Sequence, residues 1–170
     1  CNGYASRCWP WDERLHPTAW VTTRSIEFLR RRDPTKPFFL QVSYHRPHSP
    51  LDPPPSYWAM YEGRAMPEPV DGDWTEFMEN YRNAENPIPR EKHFRDRARR
   101  AYCALVTQID YELNRLFIEL GDRNLWEELL ILFVSDHGDM LYDHRLVRKS
   151  MPFEGCAGIP LFLRLPRSMR

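Results

Sequence analysis

No stretch of this sequence is long and apolar enough to cross a bilayer. Its apolar runs, of which Leu129–Val134 is one, stop at six residues, against roughly 20 for a spanning helix. No charged-then-apolar leader opens it either, so a soluble protein is expected. A leader in further sequence would leave the compartment open between cytoplasmic and periplasmic or secreted. Net charge is missing too. Lys+Arg and Asp+Glu stand at 24 each, which removes the global field that would recruit nucleic acid or an anionic membrane. The four cysteines, Cys1, Cys8, Cys103 and Cys156, include no C-x-x-C pair. That argues against a thiolate zinc site and makes idle or buried thiols the expectation. Internal repeats and low-complexity tracts are absent as well. What the sequence does have is 16 prolines and 14% aromatic residues, a composition for ordered loops packed on a core. Its 170 residues suffice for one domain with a core, and nothing in them specifies an oligomeric state.

Residues 1–16 lack periodicity and read as an irregular segment anchored by Trp9 and Trp11. Pro17-Thr18 can start a helix running to about Arg32, with Val21, Ser25, Phe28 and Leu29 on one face. Asp33-Pro34 ends it, because proline cannot continue the hydrogen-bond ladder. Phe38–Tyr44 reads as a buried strand leading into His45-Arg46-Pro47-His48-Ser49-Pro50. Residues 51–89 are rich in proline and aromatics, with short helical turns expected at Ser56–Glu62 and Thr75–Tyr81. Tyr57, Trp58 and Trp74 are expected to pack over the core, the alternative being a pocket rim. From about Pro89 to Leu120 a long helix carries Ala98, Ala101, Leu105, Ile109, Leu113, Leu116, Phe117 and Leu120 at three- and four-residue steps. Arg95, Arg97, Arg99 and Arg100 read as its solvated face, and Gly121–Asn124 closes it. Leu129–Val134 has the length of a strand buried on both faces. Strand, helix, strand, with room for a crossover, predicts an α/β fold with a mostly parallel sheet covered by helices.

The second strand runs into Ser135-Asp136-His137-Gly138-Asp139-Met140. Ligands sit at the C-terminal edge of strands in open α/β sheets. A carboxylate beside an imidazole there can bind a divalent metal, with Gly138 letting the backbone turn away. The alternative is an Asp capping the next helix next to a surface His. The run continues Leu141-Tyr142-Asp143-His144-Arg145-Leu146-Val147-Arg148-Lys149-Ser150-Met151-Pro152-Phe153-Glu154-Gly155, then Ile159-Pro160-Leu161. From Ser135 onward this resembles the sulfatase branch of the alkaline-phosphatase-like superfamily. The family stretch reads roughly S-D-H-G-D-M-L-G-D-H-G-L-W-R-K-G-M-P-Y-E-G, before a strand opening I/V-P-L. Tyr142, Arg145 and Ser150 replace family glycines, which bears on loop geometry and leaves the charged positions intact. Pro37–Leu40 and His45–Pro50 are similar to the family's P-F-F-L strand and H-x-P-H-x-P loop, and Ile109-Asp110 to an I-D pair on its long helix.

The resemblance implies an alkaline phosphatase-like (sulfatase) fold, of which residues 1–170 are an incomplete part without the N-terminal nucleophile region and the C-terminal part. It implies a metal-dependent sulfuric ester hydrolase acting on a small-molecule or glycan sulfate ester. Asp136 and His137 match its metal ligands, normally for calcium, with magnesium or manganese in some relatives; a hard ion suits Asp136 better than His137. His48 matches the histidine that reaches the ester, and Lys149 the lysine that binds a sulfate oxygen. An imidazolium placed at the leaving oxygen and a fixed ammonium at the sulfuryl group both offset charge that develops as the ester bond breaks. Asp139, Asp143 and His144 are expected to support the metal ligands or hold the loop. The nucleophile, a formylglycine made from C/S-x-P-x-R, is expected in the missing N-terminal region. Cys8-Trp9-Pro10-Trp11-Asp12 matches that pattern at Cys and Pro but has Asp where it needs Arg. Two alternatives stand beside this reading: a phosphonate monoester or phosphodiester hydrolase of the same superfamily, whose substrates are also tetrahedral anions, and a non-catalytic remnant of the fold.

Overall fold

A computed structural model describes residues 4, 6–76, 89, 91–149 and 151–170. Helix α1 (Pro17–Arg31) starts at a proline, whose missing N–H is one the first turn leaves unbonded anyway. His16 caps it, accepting the Thr18 amide on Nδ1 at 3.3 Å. The helix stops just before Asp33-Pro34, as predicted. Its buried face is Thr18, Ala19, Thr22, Ser25, Ile26 and Leu29, while Phe28 is exposed. The face predicted from Val21, Ser25, Phe28 and Leu29 is therefore rotated. Small hydroxyl residues can take the buried side because they bond back to the helix itself. Thr22 Oγ1 donates to Thr18 O at 3.3 Å and Ser25 Oγ to Val21 O at 2.9 Å.

A single helical turn, α2 (Pro55–Ala59), buries Tyr57. Of the turn expected at Thr75–Tyr81, Thr75 and Glu76 are helical and the rest lies outside the described residues. Helix α3 (Lys92–Asp122) packs against both α1 and α2. Ala98, Ala101, Leu105, Leu116 and Leu120 are buried as the periodicity predicts. In the middle, however, Gln108 and Glu112 occupy the buried face, and Ile109 and Leu113 are only half-buried. The arginines at the helix start are not simply solvated. Arg97 lies over the Trp58 ring and donates to Ser6 O, Arg100 donates to Arg64 O, and Arg95 pairs with Glu68. The helix closes on Asn124 in the left-handed region (φ 56°), with Leu125 N donating to Leu120 O at 2.9 Å, as helix C-termini commonly do.

Two apolar clusters lie along α3. One gathers Tyr4, Leu51, Ala98, Ala101, Leu105 and Tyr142. The other joins Ile26, Leu29, Leu116, Leu120 and Leu125 to Phe38, Leu40, Val42, Leu129 and Ile131. The sheet corrects two expectations. Strands β1 (Ile131–Val134) and β2 (Leu161–Arg164), with the short helix α4 (Glu154–Ala157) between them, pair antiparallel, Ile131 facing Arg164 and Val134 facing Leu161. Among the described residues this is the only sheet, and no parallel ladder occurs. Phe38–Tyr44 carries no strand pairing and joins the core through side chains alone. The parallel reading required that segment and β1 to be ladder neighbours, and they are not. Nor is β1 buried on both faces: Leu132 is 56% and Val134 51% exposed, and opposite them Leu161 and Leu163 are 66% and 58% exposed. Burial on both faces needs layers above and below the sheet, which a two-stranded ribbon against one helix pair does not have.

Candidate active site

The stretch after β1 is held by close backbone approach. A Cβ at Gly138 would fall 2.1 Å from the Gly155 carbonyl oxygen, and Gly138 N donates to Cys156 O at 2.8 Å. Closeness to the start of α4, and not a sharp turn, is what requires glycine here. Just before it, His137 Nδ1 lies 2.7 Å from Gly138 O. A carbonyl only accepts, so Nδ1 carries the proton and Nε2 keeps its lone pair for a ligand, the arrangement common in metal-binding histidines. Asp136 Oδ2 lies 3.7 Å from that Nε2, a span that two ligands of one ion can bridge when each is ~2.3–2.6 Å from it. The Asp136 side chain is 89% exposed. These two donors fit a divalent cation. Among the described residues no group of three or more His, Cys, Asp or Glu is arranged to hold one.

His48 sits on the loop after Phe38–Tyr44, and its Nδ1 donates to Ser49 O at 2.8 Å. Its ring centroid is 6.1 Å from that of His137 and 5.0 Å from that of His45. Half-buried Lys149 is close enough to His45 for its charge to act there. Burial first, and then the neighbouring Arg46, His48 and Lys149, push the His45 pKa down. The structure thus sets His48 beside both His45 and His137, with Asp136 next to His137 and Lys149 near enough to His45 for its charge to act there.

Asp139 holds the loop between these groups. Its Oδ1 accepts from Tyr4 Oη at 2.8 Å, Leu141 N at 3.0 Å and Arg148 N at 2.9 Å. Burial, then the Asp139 carboxylate, raise the Tyr4 pKa and keep the phenol a donor. Asp143 Oδ1 accepts Val70 N at 3.1 Å, and His144 N donates to Val70 O at 2.6 Å. His144 also packs on Trp74 and Phe153, which stack on each other at 4.8 Å. Tyr142 and Arg145, two of the three residues that replace family glycines, have φ of 75° and 57°. That left-handed region is costly for a side chain, and burial of Tyr142 against Tyr4 holds it there. Ser150, the third, lies outside the described residues. Cys8 is half-buried, and burial pushes its thiol pKa up. Asp12 instead caps a short turn, accepting Arg14 N at 2.9 Å.

Sequence reasoning assigned no role to the pair behind the His48 loop. Arg46 (7% exposed) donates from Nε to Asp52 Oδ1 at 2.8 Å and from Nη2 to Oδ2 at 3.0 Å, and Asp52 is 3% exposed. Buried His16 Nε2 stands 3.9 Å from Asp52 Oδ1, too long for a hydrogen bond. Burial works against the Asp52 carboxylate, but His16 and Arg46 outweigh it and hold its pKa below the usual range. The only signal in the sequence was an arginine and an aspartate six residues apart in a proline-rich loop.

Residues 8–170 match the Sulfatase family. An arylsulfatase of Clostridium perfringens is 46% identical over 99% of this chain and 36% of its own length. The multifunctional alkaline phosphatase superfamily protein PehA of Trinickia caryophylli is 34% identical over 78% of the chain and 29% of its own length. A phosphonate monoester hydrolase of Agrobacterium radiobacter superposes with a TM-score of 0.82 at 23% identity, over 96% of this chain and 36% of that one. The chain therefore spans about a third of the length of the curated relatives it matches.

Proposed function

The chain belongs to the sulfatase family, and from that premise we propose that the intact protein hydrolyses sulfate esters, residues 1–170 being one segment of its catalytic domain. What supports this reading is the approach of His48 to His137, ring centres 6.1 Å apart, from loops roughly 90 residues apart in sequence, with Lys149 close enough to the neighbouring His45 for its charge to act there.

In this reading His48 is the acid. With Nδ1 committed to Ser49 O, Nε2 is the nitrogen left to give a proton to the departing alkoxide or phenoxide, which lowers the barrier to breaking the S–O bond. Lys149 binds a sulfuryl oxygen, its ammonium offsetting charge there in the transition state. Asp136 and His137 would hold a divalent cation, calcium first among the candidates because the family resemblance implies it, with magnesium or manganese next. When bound, that cation supplies positive charge at the reacting centre. The nucleophile is expected upstream of Cys1 as a formylglycine. Asp139 keeps the loop carrying Lys149 in register with the strand end carrying Asp136.

A second reading is hydrolysis of phosphonate monoesters at the same residues, since those substrates are also tetrahedral anions and the chain shares its fold with a phosphonate monoester hydrolase. Parallel assays of the intact protein on 4-nitrophenyl sulfate and 4-nitrophenyl phenylphosphonate separate the two. A higher kcat/KM on the sulfate is expected. A preference for the phosphonate would replace the first reading with the second, and no turnover of either would end both.

A further inference from the structure

The Arg46–Asp52 pair is buried, which is expensive for two charges unless the geometry serves something. Its third contact says what. Arg46 Nη1 lies 2.7 Å from His45 Nδ1. A guanidinium has donors only, so His45 Nδ1 must accept, and the ring proton must sit on Nε2. An imidazolium would aim an N–H at the guanidinium, and the opposite neutral tautomer would do the same. Asp52 holds Arg46 through two hydrogen bonds on its other edge, so the guanidinium cannot turn to suit the ring. Unlike the pair behind it, His45 is exposed. It stands beside His48 at 5.0 Å and within reach of the Lys149 charge.

We infer that Asp52 and Arg46 are positioning residues that fix His45 as a neutral Nε2–H donor, and that this donor binds a non-bridging oxygen of the tetrahedral ester between His48 and Lys149. The inference rests on the ester-hydrolase reading for its ligand but not for the tautomer. A neutral donor adds a hydrogen bond to the anion without a further positive charge beside Arg46 and Lys149. His48 shows the contrast. Its Nδ1 donates to a carbonyl, whereas that of His45 accepts from Arg46.

Two measurements on the intact protein test this. In ¹⁵N NMR of histidine-labelled protein, with His45 identified by its loss in His45→Gln, Nδ1 is expected at an unprotonated shift and Nε2 at a protonated one at neutral pH. Arg46→Gln is expected to mix the tautomers. A protonated Nδ1 in the wild type would overturn the clamp. In kinetics on 4-nitrophenyl sulfate, His45→Phe is expected to lower kcat/KM about 10–100-fold, the effect of one hydrogen bond to a charged group. His45→Gln, which keeps an N–H donor, is expected to recover most of it. Equal losses in both variants, or none, would leave His45 a loop residue and overturn the donor role. A wild type inactive on sulfate and phosphonate esters alike would instead remove the parent reading and the donor role with it, the NMR result still judging the clamp.

Discussion

Arg145 and Gly138 sit on one loop with opposite backbone demands. Arg145 holds φ at 57°, where a glycine would rest without strain, and its pairing with Asp71 at 3.3 Å is half-exposed and worth little. Arg145→Gly is expected to raise stability by about 0.5–1 kcal/mol. Gly138→Ala forces a methyl onto the Gly155 carbonyl oxygen and is expected to cost about 3 kcal/mol. Denaturant unfolding checks both signs. The Asp52 pKa is lowered in the folded protein, so its stabilisation is complete above the unfolded value of roughly 4 and is lost as pH falls through the folded value. The stability gap between wild type and Asp52→Asn should therefore hold from pH 7 to about 5 and narrow below about 4; a gap that widens in acid would contradict the assignment. At this scale the family resemblance showed where glycines were replaced, but not that Tyr142 and Arg145 are left-handed, because φ depends on how the loop is closed by Asp139 and Val70. It likewise located Gly138 and mistook the reason, since contact with Gly155 is invisible to local reasoning.

Helix α3 carries a cost in its middle. Gln108 is fully buried, and among the described residues neither its Oε1 nor its Nε2 has a hydrogen-bond partner. An amide buried this way is penalised for lost solvation. Gln108→Met, close in volume, is expected to stabilise by about 1–2 kcal/mol in denaturant unfolding, and a loss of stability would show that the amide is satisfied. This is also why the apolar stripe was legible at both ends of α3 and wrong at its centre. Periodicity assumes that apolar residues win the buried face, whereas here Gln108 and Glu112 hold it. Helix bounds were readable from Pro17, Asp33-Pro34 and Asn124, because proline and left-handed closure act locally. Strand pairing was not, because 26 residues separate β1 from its partner β2, and the apolar pattern of Phe38–Tyr44 fits a ladder it does not form.

Across the whole molecule, the site is an agreement between two loops that share no local signal. The Ser135–Met140 stretch follows β1, the His45–Pro50 loop follows Phe38–Tyr44, and the second apolar cluster packs Phe38, Leu40 and Val42 beside Leu129 and Ile131. That packing aligns the segment ends and so brings His48 near His137. Metal follows from the same placement. Treating the intact protein with a chelator is expected to abolish hydrolysis and excess calcium to restore it, while Asp136→Asn should raise the calcium requirement at least about tenfold; activity indifferent to chelation would remove Asp136 and His137 from the site. The most direct measurement is the rate of 4-nitrophenyl sulfate hydrolysis by the intact protein and its His48→Ala and Lys149→Ala variants, all folded by circular dichroism. If the two side chains act on one ester, each variant loses about 10²–10⁴-fold in kcat/KM; rates equal to the wild type in either variant would contradict the shared site.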